Sequence, residues 1–424
     1  MQDDIAEQAF AKISGKEQPA ETLNDTAQEA EARNGLRHII SLSMTKVADG
    51  LIDPKLVLAW LLTSLGAPAV YAGALVPIRE AGALLPQIAL AGLVQRMTRR
   101  KWVWVMGSAG QGGFAALIAF FAFTLNGAAA GMAICAALAG LALCRAACSV
   151  SYKDILGKTV GKARRGSVTG AAGSVSSVGV LVFAALLMSG LLQNRLAVIA
   201  AIGLAACLWI LSAFLFSRLE ETKSETTDAA GANFEILKSN RDLWRFIIVR
   251  GLLVSTALAP PYLVVLAGSD TSDALGRLGA LVLASALASL ISSYVWGRLA
   301  DRSSRKVLLL TGLVGAAAMV LAVVLWVFDL AQTVWAMPAV LFILMIAYHG
   351  VRQGRSTYLV DMAPEDQRAA YAAVSNTIIG VILLGAGVLG GGAALLGAQT
   401  TLVVFAAMAL AASAVAYGLP EVER

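Results

Sequence analysis

The sequence predicts an all-α integral membrane protein with twelve transmembrane helices in two pseudo-symmetric six-helix bundles. Hydropathy, the placement of basic residues and an internal repeat carry that expectation. Of 424 residues, 58% are hydrophobic and 14% charged, and the mean hydropathy is +0.74, whereas soluble domains carry about 25% charge. A membrane-crossing helix needs roughly 20 apolar residues, and beyond residue 38 the chain is a near-continuous series of such runs.

Taken in order, apolar runs between polar breaks place the spans at 38–63, 69–95, 102–124, 128–151, 167–192, 196–217, 246–267, 274–296, 307–328, 334–357, 371–392 and 397–418. The even number puts both chain ends on one side. Basic residues crowd alternate connections: Arg96, Arg99, Arg100 and Lys101; then Lys153, Lys158, Lys162, Arg164 and Arg165; then Arg298, Arg302, Arg305 and Lys306. The opposite connections hold Arg195 and Arg277 beside Asp270, Asp273 and Asp329. Lys and Arg accumulate on the cytoplasmic side, so both termini are expected in the cytoplasm of a bacterial-type inner (plasma) membrane. The net charge of +6 follows from this topology and implies no nucleic-acid partner.

The expected layout is a cytosolic acidic tail at 1–36, a first bundle at 37–217, a cytoplasmic linker at 218–245, a second bundle at 246–418 and a cytosolic end at 419–424. The tail opens on Asp3, Asp4 and Glu7 and carries no apolar run in its first 30 residues, so no signal peptide is expected. Its composition predicts a solvated, partly disordered segment.

The halves match at a nearly constant separation, the repeat signature of many transporters. Gly92 and Arg100-Lys101 correspond to Gly297 and Arg305-Lys306; Pro54 corresponds to Pro261; Arg145 and Asp154 correspond to Arg352 and Asp361.

Gly297-Arg-Leu-Ala-Asp301-Arg302-Ser-Ser-Arg305-Lys306, between the eighth and ninth spans, resembles the G-x-L-A-D-R-x-G-R-K loop of the major facilitator superfamily, with Ser304 in place of its last glycine. Asp361-Met-Ala-Pro364-Glu-Asp-Gln-Arg368 is similar to that superfamily's D-x-x-P-x-x-x-R pattern after the tenth span. The first-half loop is degenerate, with Arg96 where the aspartate is usual. The resemblance implies the superfamily's fold and a secondary transporter, commonly monomeric. It also implies a gating role for Gly297, Asp301, Arg302, Arg305, Lys306, Asp361 and Arg368. The fifth span lacks the Gly-Pro pair of the superfamily's antiporters. The Gly166/Gly170 and Gly387/Gly391 spacings predict close helix approach.

An ionisable residue at mid-bilayer costs roughly 2.5–3.5 kcal/mol on insertion scales, so those that persist point to a cavity or a partner. Arg145 and Arg352 share repeat-equivalent depth and would suit a carboxylate or phosphate, or else structural ion pairs. Arg145, Arg352, Arg79, Arg250 and Tyr348 are the candidate substrate contacts, and Arg355 adds positive charge to the same interior. Lys46, Asp49 and Asp53 share one helix face. Asp49, Asp53 and Glu80 are the candidate proton-coupling carboxylates, because a desolvated acid favours its neutral form. That reading needs the first span to begin near 38; a start near 56 would leave Asp49 and Asp53 interfacial. His349 reads as a packing residue or a proton relay.

No metal-binding, hydrolase or P-loop pattern is present, so neither enzymatic activity, a cofactor nor a metal is expected. Cys135, Cys144, Cys148 and Cys207 fall inside apolar runs and read as packing residues. The function expected is secondary active transport of an anionic or zwitterionic small solute by alternating access, coupled to a proton or another ion. A lipophilic-cation exporter and a transport-inactive receptor or scaffold remain alternatives.

Overall fold

The computed structural model describes residues 2–14, 25–161, 164–189, 194–223, 240–268, 274–300, 302–364 and 368–422. A short helix, α1 (Gln2–Ser14), precedes the membrane part. The first span is α2 (Asp25–Leu51) and α3 (Val57–Ser64), and the second is α4 (Ala69–Leu84) and α5 (Gln87–Gln95). The third to sixth are α6 (Lys101–Thr124), α7 (Gly127–Thr159), α8 (Arg165–Met188) and α9 (Arg195–Ser217). The seventh is broken into α10 (Arg241–Leu252), α11 (Ser255–Leu258) and α12 (Pro260–Ala267). The eighth to twelfth are α13 (Ala274–Ala300), α14 (Ser304–Val327), α15 (Ala336–Met362), α16 (Arg368–Ala394) and α17 (Ala398–Tyr417). Among the described residues, ten of these stretches are long and apolar enough to cross a membrane, with a shorter apolar segment at Gly276–Ser292. The first span falls outside that count because Arg33, Arg37, His38, Lys46 and Asp49 dilute its hydropathy.

The helix pairing has the symmetry that the repeat predicts. The first span packs on the fifth and sixth, the second on the fourth, and the third on the fourth and sixth. The seventh packs on the eleventh and twelfth, the eighth on the tenth, and the ninth on the tenth and twelfth. Across the halves α4 meets α16 and α8 meets α13. Exchanging the halves turns each of these cross-contacts into the other.

Local chemistry explains the breaks and starts. Pro54 has no amide hydrogen to continue α2, and Asp53 Oδ1 accepts the amides of Lys55 (2.7 Å) and Leu56 (3.2 Å) where α3 begins. The seventh span breaks at the matching place, ahead of Pro260 and Pro261. Asn194, Asn240 and Ser303 cap α9, α10 and α14 through their side chains, each satisfying an amide that the first helical turn leaves open.

Two expectations need correction. The segment read as a solvated tail is helical over its described parts and docks on the first bundle. Phe10, 1% exposed, packs with Ile39, Leu156, Val160 and Val168, and buried Glu31 accepts hydrogen bonds from Gly161 N and Arg164 Nη1, both 2.9 Å. Averaged composition hides one apolar side chain and one acid that have tertiary partners. Close approach at Gly166/Gly170 is also not seen: a Cβ there would meet nothing within 4 Å. Gly387 does lie against a neighbour, since its Cβ would come within 2.4 Å of Pro77.

The two ends of the α8–α13 seam differ. A Cβ on Gly279 of α13 would come within 2.7 Å of Met188 and 2.9 Å of the Ala184 carbonyl. Gly166 and Gly170, at the other end of α8, face open space. The halves therefore touch at the end away from the basic connections and part towards the basic end.

Candidate functional site

Between the halves lies a cavity of about 440 Å³. Helix α2 contributes Lys46 and Asp49, the break after it Asp53 and Lys55, α4 Arg79 and Glu80, and α7 Arg145. From the second half, α15 contributes Tyr348, His349, Arg352 and Arg355, and serines of α8 and α13 complete the wall. Tyr348, Arg352 and Arg355 stand at i, i+4 and i+7 and so share one face of α15.

Asp49 is the hub of the first-half wall. Its Oδ1 accepts from Arg79 Nη2 at 2.6 Å, and its Oδ2 pairs with Arg145 Nη1. Asp53 is committed to the two amides of the helix break. Glu80 makes no hydrogen bond or ion pair among the described residues, although Lys55, Arg79, Arg355 and Arg145 lie within Coulombic reach. Lys46 Nζ donates to the Thr169 carbonyl at 3.3 Å.

The second-half wall is built differently. Lys55 crosses from the first half to sit 3.5 Å from the Tyr348 ring centroid, with the Arg352 guanidinium 6.0 Å from the same ring, both cation–π arrangements. Neither Arg352 nor Arg355 has a carboxylate or hydrogen-bond partner among the described residues. Arg250 stands apart in a smaller chamber of about 60 Å³, shared with Glu80, Arg352 and Arg355. It donates to Ser375 Oγ and Asn376 Oδ1, both at 2.8 Å, and so ties α10 to α16.

The structure thus gathers Arg79, Arg145, Arg352, Tyr348, Asp49, Asp53 and Glu80 around one space and sets Arg250 beside it. Among the described residues, six cations (Lys46, Lys55, Arg79, Arg145, Arg352 and Arg355) face three carboxylates. Sequence reasoning missed the contact between Lys55 and Tyr348, which the 293 residues separating them in the chain conceal.

The loop motif lies at the basic end. Arg305 pairs with Glu421 at 2.7 Å and reaches the Tyr417 and Leu419 carbonyls. Arg302 and Lys306 are exposed, Gly297 lies in α13, and Asp361 is in the last turn of α15. Asp301 and the side chain of Arg368 lie outside the described residues. In the first half Arg100 pairs with Asp154 at 2.6 Å, joining the second–third connection to the end of α7. Glu221 and Glu421, which organise this end, were missed; Leu219-Glu-Glu221 and Leu419-Pro-Glu421 carry the repeat signal that finds them.

Residues 253–424 match the Major Facilitator Superfamily profile. The match covers the second bundle and leaves the first half of the chain outside it. The fold of the whole chain is shared by solved structures along nearly their whole length. A nucleoside transporter NupG structure superposes with a TM-score of 0.65 at 14% identity, covering 91% of this chain and 98% of that one. A POT family transporter in complex with 5-aminolevulinic acid gives 0.69 at 12% identity, with 90% and 95% covered. A bacterial homolog of the human lysosomal transporter Spinster, inward-facing and unoccupied, gives 0.64 at 14% identity, with 92% and 96% covered. At such identities the likeness is one of fold. Among curated proteins, the Staphyloferrin B transporter of Staphylococcus aureus (strain NCTC 8325 / PS 47) is 32% identical over 139 residues. That match spans 32% of this chain and 32% of the relative.

Proposed function

We propose that this protein is a secondary transporter that moves an anionic small solute across a bacterial inner membrane by alternating access, coupled to protons. The observation that carries the reading is the surplus of cations over carboxylates around the central cavity, at a depth where each unneeded charge is costly. A chain stabilised only by internal ion pairs would balance its charges; here Arg352 and Arg355 are left over. The location between two repeat-related halves is where such transporters hold their cargo. The relative named for staphyloferrin B agrees with a small organic solute.

By the positive-inside rule the basic end is cytoplasmic, and the parting of α8 from α13 at that end makes this an inward-facing conformation. Of the three cavity acids, Glu80 is the one with no hydrogen bond or ion pair among the described residues for a proton to disturb, and we assign coupling to it. The cation-exporter alternative sits poorly with this wall, which would repel a lipophilic cation.

The test is flux into proteoliposomes carrying an imposed pH gradient, with labelled citrate, succinate, phosphate and tetraphenylphosphonium in parallel. Gradient-dependent movement of an anion is expected. Movement of tetraphenylphosphonium alone would overturn the reading.

A further inference from the structure

We propose that the second half carries its own seat for a multiply charged carboxylate, formed by Arg352 and Arg355 with Ser292 behind them. The inference rests on the anionic-solute reading and adds which half grips the anion and how many charges it bears. The two halves offer very different surfaces. On the first, Asp49 already takes one hydrogen bond from each of Arg79 and Arg145, so an incoming anion competes there with an internal carboxylate. On the second, no Asp or Glu of that half lines the cavity among the described residues.

Two guanidinium groups three residues apart on one helix face repel each other and attract anions. Each fork binds one carboxylate through two parallel hydrogen bonds. A monoanion compensates one fork and leaves the other uncompensated; a molecule with two or more carboxylates serves both. Space is available beside them, since a further volume of about 450 Å³ is lined by Ser289, Ser292, His349, Arg352, Gln353 and Arg355 among others, within the range of small-molecule sites.

A second observation, independent of the arginines, points to a ligand at the same place. Ser292 is 2% exposed and its Oγ has no hydrogen-bond partner among the described residues, where the buried His349 Nε2 on the adjoining wall also lacks one. Buried polar atoms are seldom left unpaired. An oxygen-rich ligand held by the two forks brings acceptors for the serine hydroxyl and for a protonated imidazole nitrogen.

The experiment measures binding of citrate, succinate, acetate and inorganic phosphate to the full-length protein in detergent by calorimetry, with thermal shift as a check on folding. Citrate is expected to bind at least tenfold more tightly than acetate. In Arg352→Gln/Arg355→Gln that advantage falls to within twofold of acetate, and Ser292→Ala weakens citrate by about threefold. Arg352→Lys/Arg355→Lys, which keeps the charge but not the fork, guards against misfolding and is expected to lose part of the advantage. Citrate selectivity that survives in the double glutamine variant sinks the seat and leaves the anionic reading intact. Phosphate binding tighter than citrate overturns the carboxylate assignment, and no anion binding at all removes both readings.

Discussion

Glu221 and Glu421 hold repeat-equivalent helices from matching places in the two halves, one through backbone amides and the other through side chains. Glu221 follows the sixth span, and its carboxylate accepts the amides of Arg100 (3.1 Å) and Lys101 (2.8 Å) at the start of α6. Glu421 follows the twelfth span and accepts from Ser303 Oγ (2.7 Å) and Arg305 Nε (3.0 Å) at the start of α14. A basic side chain returns the contact each time: Lys101 Nζ donates to the Ser217 and Leu219 carbonyls, and Arg305 Nη1 to those of Tyr417 and Leu419. Each carboxylate also faces the positive end of a helix dipole.

The two contacts differ in burial, so their removal should differ in cost. Glu221 is 8% exposed and caps backbone amides, so Glu221→Ala should cost about 1–2 kcal/mol. The Glu421 side chain is 40% exposed, and Glu421→Ala should cost under about 1 kcal/mol. Denaturation midpoints in mixed micelles compare them; equal losses would show that burial does not set the difference.

Glu220, one residue earlier, clamps the first span from outside the membrane. Partial burial raises the pKa of its carboxyl, but hydrogen bonds and charge from Arg37 and Arg33 outweigh this and hold it below its ordinary value. A depressed folded-state pKa contributes stability above the unfolded value, about 4.3 for Glu, and that contribution is lost as pH falls through the folded value. Because the pair is half exposed, the contribution should be under about 1 kcal/mol. Glu220→Gln should flatten the stability profile between about pH 4.5 and 3 and leave neutral-pH transport unchanged. An identical profile in the variant would assign the acid sensitivity elsewhere.

What could be read from the sequence was what membrane physics penalises. A charge in an apolar run is expensive, so Asp49, Arg79, Glu80, Arg145 and Arg352 stood out without any partner being known, and the repeat placed Pro54 against Pro261. Pairing was not legible. Nothing in the local pattern says that Asp49 takes both Arg79 and Arg145, or that Lys55 lies on Tyr348, because those contacts depend on how α2, α4, α7 and α15 are set side by side. The docking of α1 was hidden for a related reason: one Phe10 in a polar stretch is too weak a signal until its pocket exists.

The α8–α13 seam yields a contrast between glycines. At Gly279 a methyl group would collide with the Ala184 carbonyl, which cannot rotate away, so Gly279→Ala should cost about 1–3 kcal/mol and loosen the closed end. Gly170 faces open space, so Gly170→Ala should be neutral or stabilise by about 0.5–1 kcal/mol through helix propensity. Midpoint shifts decide it; a destabilising Gly170→Ala would mean that the open gap closes in the dominant state.

The Asp49 hub should show strong coupling. The Arg79 side chain is 8% exposed, and Asp49→Asn leaves its charge without a carboxylate, a loss of about 3–5 kcal/mol for a buried pair. Arg79→Met in the Asp49→Asn background removes the stranded charge and should recover part of the loss, whereas Arg145→Met, at a side chain 41% exposed, should recover less. A double-mutant cycle measures this directly; additive effects would show that Asp49 and Arg79 do not act as a pair.

Coupling through Glu80 makes the last expectation. Asp49 cannot accept a proton without giving up a guanidinium contact, and Asp53 cannot do so at Oδ1 without loosening the amides that begin α3. Glu80 has no such commitment, and it borders both the main cavity and the chamber holding Arg250. A proton on Glu80 cancels the acid within Coulombic reach of Arg355, leaving that arginine freer to hold an anion, so proton and solute binding reinforce each other. Glu80→Gln mimics the protonated acid. It should retain solute exchange at equal concentrations, with apparent affinity unchanged or higher, while losing accumulation driven by a pH gradient. Asp53→Asn keeps an acceptor oxygen for the helix break and should still accumulate solute. If Glu80→Gln accumulates as well as the unaltered protein, coupling belongs to another group, and loss of exchange together with accumulation would place Glu80 in solute binding instead.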